Sequence, residues 1–161
     1  MKRTIASRTL LALLIGVLAI LGTARRVPAK SGCSNATLKG SYALRGTGTF
    51  LSGPLSGPIA FVGILTYDGA GQLTGNLSLR TSSGPSAVNG IKAPYTGTYA
   101  VNADCTAEQT MTNTLTGISS THELVIFDRG KGFFDLNTTT GAPNVISIVA
   151  RKQFAGDDED D

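Results

Sequence analysis

Tryptophan is absent from this chain, histidine occurs once and cysteine twice. A single imidazole, His122, excludes a metal site built from several histidines, and any triad or imidazole acid–base step must run through it. There is no phosphate-cradling glycine loop, nucleophile elbow, HExxH pair or cysteine-rich zinc pattern. Neither a metal nor a cofactor is therefore expected. No segment beyond the first thirty residues keeps a helical period, which removes the all-α and α/β classes.

The apparent excess of positive charge also disappears on inspection. The net charge is +3, but five of the 14 basic residues (Lys2, Arg3, Arg8, Arg25 and Arg26) lie at the N-terminus, leaving nine against 11 acidic residues. Nucleic acid is not an expected partner for such a balance. Five of the acids form the terminal run Asp157, Asp158, Glu159, Asp160 and Asp161. That run has no EF-hand ligand spacing and reads as a disordered, solubilising tail over 155–161.

The N-terminal charges precede an unbroken apolar run from Leu10 to Leu21 and then the small residues Gly22, Thr23 and Ala24. That order is the one found in a secretory signal peptide. The run falls short of the roughly 18 to 20 apolar residues of a spanning helix, so no stable membrane span is expected. Cleavage after Ala24 or Ala29 would send the chain to a periplasmic or extracellular space. Arg25 and Arg26, which oppose translocation, keep an N-terminal anchor as the alternative.

In an oxidising compartment an even cysteine count reads as a bridge, and Cys33 with Cys105 is the single pairing available. The competing role for Cys33 is lipid attachment, since Ser31-Gly32-Cys33 is close to the end of a lipobox, although Lys30 stands where that motif wants leucine. The organisation expected is a signal peptide over 1–29, one domain over 30–154 and the tail over 155–161.

Within the domain, turn clusters separate segments rich in Thr, Val, Ile and Tyr. Strands are predicted near Leu38–Phe50, Ile59–Tyr67, Gln72–Arg80, Tyr95–Val101, Cys105–Leu115, Glu123–Asp128, Phe133–Thr138 and Val145–Phe154. Short turns such as Asp68-Gly69-Ala70-Gly71 favour an antiparallel meander, and closure would remove its two edges. The fold expected is all-β, a single eight-stranded up-and-down barrel, with a β-sandwich as the alternative. Leu51 to Pro58, a tetrapeptide repeated twice, and Ser82 to Pro94 read as long connections. Strands apolar on both faces, Ile59–Leu65 and Leu124–Phe127, imply a cover on the outside, either a loop or a second subunit in a homo-oligomer.

Residues able to do chemistry are few. Asp68, Asp104 and Asp128 fall at turns, where Asp caps its own backbone. Glu108, Glu123 and Asp135 are left as strand carboxylates, each expected to face solvent, and His122 reads as a rim or surface histidine. Strand alternation puts Tyr42 and Leu44 on one face and Arg45 on the other, which makes Tyr42 the candidate for the lumen. Tyr42 and Glu108 are the ligand-binding candidates; no catalytic residue is assigned.

The stretches Leu38-Lys39-Gly40-Ser41-Tyr42, Leu65-Thr66-Tyr67-Asp68-Gly69-Ala70-Gly71 and Gly97 to Cys105 resemble those of small exported bacterial proteins without an assigned function. At the level of architecture the chain is similar to barrels of the calycin and allene oxide cyclase-like kind. That resemblance implies a barrel that binds an apolar ligand or, in the cyclases, isomerises one; no cyclase catalytic motif matches. The functional expectation is a non-enzymatic exported barrel holding a small apolar ligand. The alternatives are a cyclase- or isomerase-like enzyme using a lumen tyrosine and a carboxylate such as Glu108, or a structural or adhesive surface protein with a packed barrel.

Overall fold

The computed structural model describes residues 32–82 and 92–154. The proposed signal peptide, the acidic tail and most of the connection preceding Pro94 lie outside the described residues. Eight strands follow one another: β1 (Gly40–Phe50), β2 (Gly57–Tyr67), β3 (Gln72–Thr81), β4 (Lys92–Val101), β5 (Thr106–Asn113), β6 (Ser119–Phe127), β7 (Gly132–Asn137) and β8 (Asn144–Lys152). Each pairs antiparallel with the next, and β1 pairs with β8 from Tyr42↔Lys152 to Phe50↔Asn144, so the sheet closes into an up-and-down barrel. The sandwich alternative is thereby excluded.

All eight expected strands are present, with differences at their ends. β4 begins at Lys92, so Pro94 belongs to a strand, where its carbonyl accepts from Thr114 N at 3.0 Å. β6 begins at Ser119 and therefore carries His122 in its interior. The first turn holds as read: Asp68 Oδ1 accepts from the backbone N–H groups of Ala70, Gly71 and Gln72 at 2.7, 2.9 and 2.9 Å. Those bonds hold its carboxyl below the ordinary range.

Alternation sends Tyr42, Leu44, Leu65, Tyr67, Leu73, Leu77, Met111, Leu124, Phe133, Ile148 and Ala150 inward, where they are buried. Small residues at inward positions make this curvature fit. A Cβ on Gly97 would meet Thr110 O at 2.0 Å, and one on Gly46 would meet the Phe61 ring at 2.1 Å. The strand glycines are thus the places where backbone or a ring from the neighbouring strand closes in.

One end of the barrel is shut. The rings of Tyr42, Tyr67, Tyr99 and Phe133 pack together with centroids 5.0 to 5.8 Å apart, mostly edge to face. Below them the short 3-10 helix Asn35–Leu38 plugs the opening with Leu38, which is fully buried. Asn35 Oδ1 accepts from Val101 N at 2.8 Å and Asn35 O accepts from Tyr99 Oη at 3.1 Å, so the plug is bonded to β4. Gly130, at φ 87°, lets the β6–β7 turn pass under this helix, where a Cβ would strike Thr37 O. Cys33 and Cys105 form the expected disulfide, Cα atoms 4.9 Å apart, tying the plug to the β4–β5 turn.

The exterior carries charge at Arg45, Arg80, Glu108, Glu123 and Arg151, interleaved with exposed Val62, Ile64, Val125, Phe134 and Leu136. No described loop covers those apolar residues. The apolar interior is the reverse of the polar lumen found in pore-forming barrels. Among the described residues no helix is long and apolar enough to cross a membrane.

Candidate functional site

The opposite half of the barrel is not filled. A cavity of about 210 Å³ opens there, walled by Phe50, Ile59, Phe61, Leu77, Leu79, Ala93, Met111, Ile146 and Ile148. Its polar wall is contributed by Tyr95, Asn113, Thr116, Ser120, His122 and Asn137. The polar groups come from β4–β7 and from the β5–β6 loop, and the apolar ones mainly from β1, β2, β3 and β8, so the space has one greasy and one hydrogen-bonding side.

A line of buried polar side chains joins the aromatic floor to this cavity. Tyr67 Oη donates to Gln109 Oε1 at 2.7 Å, and Gln109 Nε2 donates to Asp135 Oδ2 at 2.8 Å. Asp135 Oδ1 lies 2.7 Å from His122 Nδ1, and His122 Nε2 lies 2.9 Å from Ser120 Oγ. Gln109, His122 and Asp135 are at most 4% exposed. The register explains the convergence: Gln109 pairs with His122 across β5–β6, and Leu124 pairs with Asp135 across β6–β7. An ionised carboxylate only accepts hydrogen bonds, so His122 Nδ1 donates to it, and in the neutral imidazole Nε2 is then the acceptor for the Ser120 hydroxyl.

Burial pushes the Asp135 carboxyl above its ordinary value of 3.8, and the bonds from His122 and Gln109 pull against that rise. Burial, with the nearby Asp135 charge, also lifts the Tyr67 phenol well above 10.0, which keeps it a donor. Tyr42 is pushed up to about 12, first by burial and then by Tyr99.

Tyr42 faces the interior, as alternation requires, but belongs to the closed floor, where its hydroxyl donates to Gly130 O. Glu108 lies on the outer face directly opposite Glu123, because its neighbours Ala107 and Gln109 take the inward positions. The structure therefore brings neither of them to the cavity. Two sequence expectations are corrected outright. His122 is buried inside the barrel rather than at a rim or surface, and Asp135 faces inward rather than to solvent. Ser120, Gln109, Asn113 and Asn137 carry no signal of their own in the sequence; the spacing Ser120-x-His122, two inward positions of one strand, was the available clue.

A closed eight-stranded meander with one end plugged and a cavity at the other defines the class of structure. No protein-family model matches the chain, and no curated protein matches it. Solved structures do. A redesigned β-barrel is similar at TM-score 0.50 and 17% identity, over 77% of this chain and 99% of that one. The redesigned barrel mFAP1, bound to DFHBI, is similar at TM-score 0.51 and 16% identity, over 73% and 97%. A related redesigned barrel, mFAP0, also bound to DFHBI, gives TM-score 0.50 and 14% identity, over 72% and 99%. At such identities the likeness carries the fold alone.

Proposed function

We propose that this protein is an exported barrel that binds a small, mostly apolar ligand in its lumen, with one polar end of the ligand against Ser120 and His122. The observation that carries this reading is the cavity of about 210 Å³ with its two-sided wall. It is smaller than the roughly 300–1,000 Å³ typical of sites for drug-sized ligands, so the occupant is a single ring system or a short chain. A barrel of eight strands has room for one such molecule. The DFHBI-bound barrels offer a precedent for a ligand in this architecture, and the calycin-like resemblance of the sequence points the same way. Export agrees with the Cys33–Cys105 disulfide, which suits a non-reducing compartment. A fully packed structural barrel sits poorly with the cavity.

Titration of the mature protein with the fluorescent apolar probe 1-aminoanthracene tests the reading. Saturable binding at one site is expected, and Ala93→Phe, which directs a ring into the cavity, should weaken it at least tenfold while circular dichroism stays unchanged. Non-saturable fluorescence, or equal affinity in the variant, would overturn it.

A further inference from the structure

Ser120, His122 and Asp135 stand in a linear array: hydroxyl to imidazole Nε2 at 2.9 Å, imidazole Nδ1 to carboxylate at 2.7 Å. This is the geometry by which an imidazole oriented by a buried carboxylate takes a proton from a serine. Three further features suit that role. Asp135 is fixed by a second bond from Gln109 Nε2, which is itself fixed by Tyr67, so the carboxylate cannot turn away from the imidazole. Ser120 is half-buried on the wall of the cavity, while His122 and Asp135 behind it are almost wholly buried. Asn137, paired with His122 in the register, accepts from Thr139 N through Oδ1, so its amide N–H groups are what remains to face a ligand.

We propose that this array makes Ser120 a nucleophile toward small apolar esters held in the cavity, a proposal that rests on the ligand-binding reading above. Ser120 Oγ attacks the ester carbonyl carbon as its proton passes to His122 Nε2. The oxygen that gains negative charge lies on the side of the Asn137 amide. The carbon–oxygen bond to the alcohol then breaks, the alcohol takes the proton from Nε2, and an acyl group remains on Ser120. Water attacks that acyl group, gives its proton to Nε2, and the acid leaves as the proton returns to Ser120. Ester and water become acid and alcohol, with no oxidant or reductant. An ester of about the cavity's volume, with a short alkyl or single aryl acyl group, is the substrate class.

The test combines covalent labelling with turnover. Wild-type protein incubated with a short-chain alkyl fluorophosphonate should gain the mass of one phosphonyl group, located on Ser120 by peptide mass spectrometry, and should hydrolyse p-nitrophenyl butyrate. Ser120→Ala should lose the adduct and at least about a thousandfold of the turnover. Ser119→Ala, altered on the exposed outer face, should keep both. His122→Gln should slow labelling by a similar factor; as His122 is buried, circular dichroism accompanies it, and the Ser120→Ala comparison stands without it. Saturable 1-aminoanthracene binding with no Ser120 adduct, or with turnover unchanged in Ser120→Ala, overturns the nucleophile and leaves the binding reading intact. An adduct on Ser120 without probe binding shows an activated serine but overturns both the binding reading and the assignment of apolar esters held in the cavity as its substrates. Neither adduct nor probe binding removes both.

Discussion

Replacing Tyr67 by Phe deletes one oxygen from the polar line and nothing else, because the ring contacts with Tyr42, Tyr99 and Phe133 are retained. Gln109 Oε1 then loses the donor that stood 2.7 Å away. A flip of the Gln109 amide offers no relief, since it would turn Oε1 toward the Asp135 carboxylate that Nε2 now serves. Water is also not at hand, as neither Tyr67 nor Gln109 lines the cavity. The buried acceptor stays unpaired, which costs about 1–3 kcal/mol. At about 2.1 cal/mol/K per residue, a domain of roughly 120 residues loses about 4 °C of melting temperature per kcal/mol, so a drop of about 4–12 °C is expected. Urea unfolding of Tyr67→Phe, Gln109→Leu and the double variant gives the coupling directly. A coupling energy of about 1 kcal/mol or more is expected, because once Gln109 has been replaced by leucine no acceptor is left to orphan. A Tyr67→Phe variant within about 0.5 kcal/mol of wild type, or one with equal cost in both backgrounds, would show that the line is not a connected unit.

Because the folded state holds the Asp135 proton more tightly than the unfolded chain does, its contribution to stability is present below the ordinary value of 3.8 and is lost as pH rises through the higher folded value. Asp135→Asn removes that titration, so the stability difference between wild type and variant should move against the wild type across this interval; a pH-independent difference in urea midpoints would contradict the assignment. Replacing Cys33 and Cys105 by Ser releases a loop spanning 72 residues, with an expected loss of roughly 4 kcal/mol in the chain-entropy model, measured by denaturation of the two proteins side by side. Gly97→Ala sets a methyl against Thr110 O and should cost about 2 kcal/mol or more; a neutral variant in calorimetry would mean that β4 and β5 can move apart.

The barrel was readable because its turns are chemically loud. Asp68 to Gly71 and Asn102 to Asp104 mark where the chain reverses, and the intervening lengths leave few other topologies. The polar line was not readable, and β7 shows why. In Phe133-Phe134-Asp135-Leu136 the usual rule would bury Phe134 and Leu136 and expose Asp135. The chain does the opposite, with Phe134 and Leu136 about half exposed and Asp135 at 4%. Phase in that strand is set by Phe133, which completes the aromatic floor, and by partners for Asp135 on β5 and β6 that no local pattern announces. Glu108 does face solvent, as expected of a strand carboxylate, because Ala107 and Gln109 take the inward positions on either side of it. Tyr42 was assigned to the right face, but alternation says nothing of height along the axis, and it lies at the sealed end.

Height along the axis has one more consequence. Gly32 to Cys33 runs beside the β4–β5 turn, and Gln153 N donates to Ser41 O at the start of β1, so the described chain enters and leaves the barrel at the sealed end. Among the described residues the mouth is bordered by the β1–β2, β5–β6 and β7–β8 connections. A tether, fusion partner or solid support joined at Gly32 or Phe154 would therefore hold the barrel by its base, with the opening turned outward. Immobilised through Gly32 or Phe154, the barrel of residues 32–154 should take up a lumen ligand as readily as it does free in solution.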